Sequence, residues 1–178
     1  MKIFVLSLTL FRIICAPFLL YFVIFLESYW LSFWLFNLAA FSDFLDGKLA
    51  RKYNVVSRIG TILDPIGDKF LLLFSLVGVI ILSQDNFVTF IGTLILGREF
   101  LVSALREYAG ATRNSNLTSV TMIAKTKTAF QFIAISMCFL GAAANISLMN
   151  FLASFMLFVA MLLGTKSAIT YAANIFKT

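Results

Sequence analysis

The sequence contains no histidine, and its 178 residues include only two cysteines and two prolines. Without an imidazole, no side chain has an unperturbed pKa close to neutrality. Acid–base work and metal ligation therefore fall to carboxylates. Cys15 and Cys138 lie far apart inside apolar runs, which reads as packing and not as a disulfide framework or a zinc site. Charge is also scarce. Asp, Glu, Lys and Arg make up 12% of the chain, against 61% hydrophobic residues that include 21 Phe. With a mean hydropathy of +0.99, this composition excludes a water-soluble globular domain and indicates an integral membrane protein. No repeat or low-complexity tract interrupts it, and residues 1–178 read as one membrane-embedded domain.

A spanning helix needs about 20 mostly apolar residues. Six stretches qualify, at roughly 4–26, 29–50, 61–83, 86–109, 120–143 and 147–173. The last two come from one uncharged run, Thr128 to Thr165, too long for a single crossing. Gly141, Asn145 and Asn150 mark where it divides. The opening MKIFVLSLTLFRIICAPFLL resembles a secretory signal only superficially. Arg12 interrupts its apolar run and no small-x-small cleavage site follows, so it is expected to be the first membrane helix. The longest polar connector is about residues 110–119. The expected class is all-α, with six transmembrane helices and both termini on one side.

Charge placement supports that topology. With six spans, all 14 Lys and Arg fall on or near the side that holds the termini. The opposite turns carry only Glu27 and Asp85, and the third, AAANISLMN, is uncharged. This one-sided pattern places the termini in the cytoplasm.

The scarce acidic residues are not spread evenly. The segment SDFLDGKLARKYNVVSRIGTILDPIGDK, residues 42–69, holds four of the eight: Asp43, Asp46, Asp64 and Asp68. A solvated loop or helix caps could account for single members, and Asp64 before Pro65 fits a helix start. The spacing argues for more. Asp43 and Asp46 are three apart at the end of one apolar run, on one helical face with Gly47. Asp64 and Asp68 are four apart at the start of the next. Two adjacent antiparallel helices would bring the pairs together at one depth. Each ionised Asp near mid-span costs about 2.5–3.5 kcal/mol on the insertion scale, and four anions would also repel one another. A bound cation resolves both problems, and carboxylate-only ligation selects Mg²⁺, Mn²⁺ or Ca²⁺. Two such ions could clamp a pyrophosphate. Gly47, Ala50 and Gly60 leave space beside the carboxylates, although small residues also serve ordinary helix packing. Arg51 offers a planar fork for phosphate.

Residues 43 to 68 read Asp-x2-Asp-Gly-x2-Ala-Arg-x8-Gly-x3-Asp-x3-Asp, which resembles the signature of the CDP-alcohol phosphotransferase family at all eight positions. The resemblance implies an integral-membrane, usually homodimeric enzyme that displaces CMP from a CDP-alcohol with a second alcohol. It implies a centre of two Mg²⁺ ions, with Mn²⁺ as an alternative, held by Asp43, Asp46, Asp64 and Asp68. Asp68 would also act as general base. Thr9, Arg12, Gly47, Ala50, Arg51, Ser57 and Gly60 would line the CDP-alcohol site.

Four further segments, TLFRIICAP (9–17), LDPIGDK (63–69), GREFLVSALREYAG (97–110) and AKTKTAFQ (124–131), are similar to one bacterial branch of the family. That branch joins CDP-diacylglycerol to sn-glycerol 3-phosphate in phospholipid biosynthesis at the inner membrane. Its acceptor carries a phosphomonoester dianion and needs cations near the metals. Arg98, Arg106, Lys125 and Lys127 are the candidates, and Glu99, Ser103 and Arg106 share one helical face by spacing. Basic residues at cytoplasmic helix ends also serve as topology determinants. Three positions depart from the branch's pattern: Leu6 stands where Asn is common, Gly67 where Ala is common, and Ala124 where Gly is common.

Other readings remain at this stage. Within the family, the acceptor could be phosphatidylglycerol, serine or inositol phosphate. A membrane prenyltransferase also uses Asp-rich Mg²⁺–diphosphate sites, but usually without the Asp-Gly-x2-Ala-Arg continuation. A cation transporter could use membrane carboxylates, more plausibly at the midplane on broken helices. No feature suggests nucleic-acid binding.

Overall fold

The computed structural model describes residues 2–53, 58–111 and 122–176, and within them all side chains except those of 2–6, 44, 46–53, 58, 59, 61, 111, 122–125 and 176. Six helices account for nearly all of it: α1 (Lys2–Ile24), α2 (Tyr29–Tyr53), α3 (Arg58–Ser83), α4 (Asn86–Ala111), α5 (Met122–Ala143) and α6 (Ser147–Phe176). They coincide with the six stretches expected from hydropathy. Five of them, all but α2, contain segments long and apolar enough to cross a membrane. The C-terminal part of α2 carries Asp43, Asp46, Lys48, Arg51 and Lys52, which lowers its apolar content.

Three tight turns gather at one end of the bundle, and each has one residue in the left-handed region: Glu27 (φ 46°), Gln84 (φ 48°) and Asn145 (φ 56°). Asn tolerates this conformation better than most residues, because its short polar side chain can hydrogen-bond locally. At the third turn Ile146 N–H donates to Gly141 O at 2.9 Å, and Asn145 N–H to Ala142 O at 3.3 Å. These bonds satisfy carbonyls that the end of α5 would otherwise leave unpaired. The uncharged run therefore divides where Gly141, Asn145 and Asn150 indicated.

The helices alternate in direction. Residues 79–83 of α3 and 138–142 of α5 meet 87–88 of α4 and 150–158 of α6 at this turn end. Leu19, Phe36, Leu76, Ile91, Ile135, Phe139 and Leu157 form the centre of the core. Asn37 and Ser136 exchange hydrogen bonds between α2 and α5, at 3.0 and 3.1 Å. Lipid tails are as apolar as the core, so close packing and such bonds hold the helices together, not hydrophobic burial. Trp34, Phe100, Phe151 and Ile169 point outwards, as suits a lipid-facing surface. Cys15 and Cys138 are buried free thiols.

Pro65 lies within α3, which begins at Arg58, as the expected stretch 61–83 implied, so Asp64 is an interior helical residue and the alternative reading of it as a cap falls away. Interior prolines are tolerated in membrane helices where neighbouring groups satisfy the freed carbonyl.

A cavity of about 520 Å³ opens at the turn end among Val79, Leu82, Phe87, Cys138 and Phe155. Its single charged lining residue, Asp85, caps α4 by accepting from Phe87 N–H at 2.8 Å. With that acid committed to a cap and the rest of its lining uncharged, this cavity is not the candidate site.

The α5–α6 crossing can be tested. A Cβ on Gly141 would lie 2.2 Å from Asn150 Oδ1 and 3.2 Å from Asn150 N, whereas one on Gly97 meets nothing within 4 Å. Gly141→Val is expected to destabilise the protein by about 1–3 kcal/mol through overpacking. Gly97→Ala should be neutral or slightly stabilising, by up to about 1 kcal/mol. Melting of the detergent-solubilised variants reads both, and equal melting temperatures would contradict the packing described.

Candidate active site

Thr9 and Arg12 are three apart on α1 and so share a face. Both are fully buried. The Arg12 side chain points into the junction of α1, α2 and α3, where three carboxylates meet it. Its Nη1 donates to Asp43 Oδ1 and, at 2.7 Å, to Asp68 Oδ1. Its Nη2 lies 3.6 Å from Asp64 Oδ1. Thr9 Oγ1 donates to the same Asp64 oxygen at 2.5 Å. The three Asp side chains are each about half exposed, while Arg12 is not exposed at all.

Asp64 and Asp68 share a face of α3, and Asp43 comes to them from α2, as the spacing suggested. Three carboxylates against one guanidinium leave two negative charges uncompensated among these four groups. Every donor is a hard oxygen, half open to the surroundings, which fits a divalent ion of the Mg²⁺ class. Among the described residues no three carboxylates already stand close enough to share a metal ion. Gly67 packs against this junction. A Cβ there would sit 3.4 Å from Thr9 Cγ2 and 3.7 Å from Arg12 Nε, so the alanine common in similar sequences would also fit.

A second charged cluster links α4 and α5. Glu99 Oε1 accepts from Arg98 Nη2 at 2.7 Å and from Lys127 Nζ at 2.6 Å. All three side chains are largely buried. Among the described residues the backbones of α4 and α5 do not approach each other, so the Lys127 side chain links the two helices. Gly164 of α6 closes the cluster. A Cβ there would fall 2.7 Å from Arg98 Cζ, so this glycine is what gives the guanidinium its space. Arg106, two turns beyond Glu99 and exposed, repels both Arg98 and Lys127.

The two clusters lie at one level. At 1.5 Å per helical residue, Arg12, Asp43, Asp68, Arg98, Glu99 and Lys127 all lie roughly 18–24 Å from the turn end. Gly60 is buried on α3. The side chains of Leu6, Asp46, Gly47, Ala50, Arg51, Ala124 and Lys125, and the whole of Ser57, lie outside the described residues. Spacing had not revealed Arg12 as the hub of the carboxylates or Glu99 as the shared acceptor. The available signal was cost, since charges embedded in apolar helices require partners.

The role of Arg12 as counter-charge has a measurable consequence. Arg12→Gln leaves the three carboxylates facing one another. In chelator it should lose about 1–3 kcal/mol of stability, less than a fully buried pair because the acids are half exposed. Added Mg²⁺ should restore most of the loss. A melting temperature that equals that of the unmodified protein in chelator would contradict this electrostatic account.

Comparison with known proteins bears on both clusters. The family model described as CDP-alcohol phosphatidyltransferase matches residues 6–165. The CDP-diacylglycerol–glycerol-3-phosphate 3-phosphatidyltransferase of Wigglesworthia glossinidia brevipalpis is 37% identical over 130 residues, covering 72% of this chain and 71% of that protein. Its namesake from Rickettsia bellii is 40% identical over 138 residues, covering 77% and 74%. That from Rickettsia typhi is 44% identical over 111 residues, covering 62% and 60%. The family match runs from before Thr9 to just past Gly164 and so takes in every residue placed in either cluster, and the chain belongs to the CDP-alcohol phosphatidyltransferase family.

Proposed function

We infer that this protein transfers the phosphatidyl group of CDP-diacylglycerol to sn-glycerol 3-phosphate and releases CMP. The observation that carries this reading is the pair of oppositely charged clusters at one depth. The acidic cluster suits a metal-bound diphosphate. The cationic one suits an acceptor that is itself a phosphomonoester dianion, since Arg98, Lys127 and Arg106 outweigh Glu99 by two charges. The names borne by the relatives at 37–44% identity agree with this pairing.

In the proposed site Asp43, Asp46, Asp64 and Asp68 hold divalent ions, two Mg²⁺ or Mn²⁺ by this reading. When bound, they neutralise the diphosphate and the departing CMP. Thr9, Arg12, Gly47, Ala50, Arg51, Ser57 and Gly60 bind CDP-diacylglycerol, with the guanidiniums directed at phosphate oxygens. Arg98, Arg106, Lys125 and Lys127 attract the acceptor's phosphate and orient its free primary hydroxyl. Asp68 takes the proton of that hydroxyl. The hydroxyl oxygen bonds to the phosphorus that carries diacylglycerol, the bond from that phosphorus to CMP breaks, and CMP leaves with the electron pair.

The same reading has all six helices spanning a bacterial inner membrane, with both termini and the site towards the cytoplasm. The basic residues at the end opposite the three turns favour that orientation. The unit is proposed to be a homodimer, with outward apolar side chains such as Phe155 and Leu162 on α6 available to lipid or a second copy.

The test is CMP release by the detergent-solubilised protein with Mg²⁺ and CDP-diacylglycerol, with glycerol 3-phosphate, serine, inositol phosphate and phosphatidylglycerol supplied separately. Glycerol 3-phosphate should support turnover. Asp68→Asn should lower kcat by about 10²–10⁴-fold, the range for loss of a general base. Turnover with another acceptor alone would overturn the substrate assignment, and full activity in Asp68→Asn would remove the base.

A further inference from the structure

Gln131 of α5 is only 1% exposed, yet its amide nitrogen Nε2 has no hydrogen-bond partner among the described residues. A buried, unsatisfied amide is destabilising unless something else meets it. An amide can hold membrane helices together by bonding across an interface, but that role requires a partner group on another helix. Asn37 fills such a role towards Ser136. Gln131 does not.

Its position suggests what meets it. Gln131 follows Lys127 by four residues, so the two share a face of α5. From that face Lys127 reaches Glu99 on α4. Counted along the helix, Gln131 lies roughly 18 Å from the turn end, level with Arg98.

We propose that Gln131 is an acceptor-binding residue, its amide nitrogen donating a hydrogen bond to an oxygen of the phosphorylated acceptor held by Arg98, Lys127 and Arg106. This rests on the acceptor assignment made above. The cations supply attraction at long range. The amide supplies direction, because a single N–H donor fixes where an oxygen sits.

The test exploits opposite expectations for binding and for packing. Gln131→Met keeps the side chain's length and removes its polar atoms. A packing or interhelical role predicts lower stability. An acceptor-binding role predicts an unchanged or higher melting temperature, because an unsatisfied donor is gone. It also predicts a KM for sn-glycerol 3-phosphate raised by about 10- to 100-fold, the range for a lost hydrogen bond to a charged group. The KM for CDP-diacylglycerol should stay within twofold. Without CDP-diacylglycerol, the thermal shift that glycerol 3-phosphate gives the unmodified protein should be lost in the variant. An acceptor KM within twofold of the original overturns the proposal, as does a variant that melts lower or fails to fold. The unmodified protein serves as a separate control. If it releases CMP only with another acceptor, the function assignment itself is wrong, which is a different result from an unchanged KM in the variant.

Discussion

A guanidinium buried in an apolar helix is tolerated only where anions meet it, and among the described side chains Arg12 meets Asp43, Asp64 and Asp68. The interaction works in both directions. The carboxylates make the buried cation affordable, and the cation holds together three acids that would otherwise repel. α1, α2 and α3 are tied at one point by charge, within a bundle whose remaining contacts are mostly apolar packing. Among the described side chains the acids outnumber the cation and remain half exposed.

A cationic cluster lies at the same level of the bundle. Glu99 pairs with both Arg98 and Lys127 and compensates only one of their two charges. Gly164 gives Arg98 room on the α6 side. A site that must join a diphosphate donor to a phosphorylated acceptor faces strong repulsion between its own substrates. Separate binding of the two anions, one through cations bound to carboxylates and one through fixed basic side chains, is a physical solution to that problem. The apolar cavity at the opposite end has neither feature.

Much of this was legible in the sequence. The ends of all six helices fall within three residues of those expected from hydropathy, because apolar length is a strong signal in membrane proteins. The turn at Gly141 to Asn145 was readable from residues that break a long apolar run. The convergence of Asp43, Asp64 and Asp68 followed from their spacing and from antiparallel neighbours. The partners across helices were not legible. Arg12 stood out as a charge in an apolar run, but which acids meet it depends on how α1 packs on α2 and α3. Lys127 reaches Glu99 between helices whose backbones do not touch, and no local pattern encodes that. Gln131 gave no signal in sequence beyond its presence in a motif, since its interest lies in having no partner among the described residues.

The central claim is that the junction around Arg12 is a divalent-metal centre on which Arg12 acts as counter-charge. Anomalous diffraction from crystals of the protein grown with Mn²⁺ tests it most directly. The account predicts an anomalous peak among Asp43, Asp64 and Asp68, with the Arg12 side chain withdrawn from at least one of them. A peak only elsewhere in the molecule, or none with Arg12 still bonded to all three carboxylates, would contradict it.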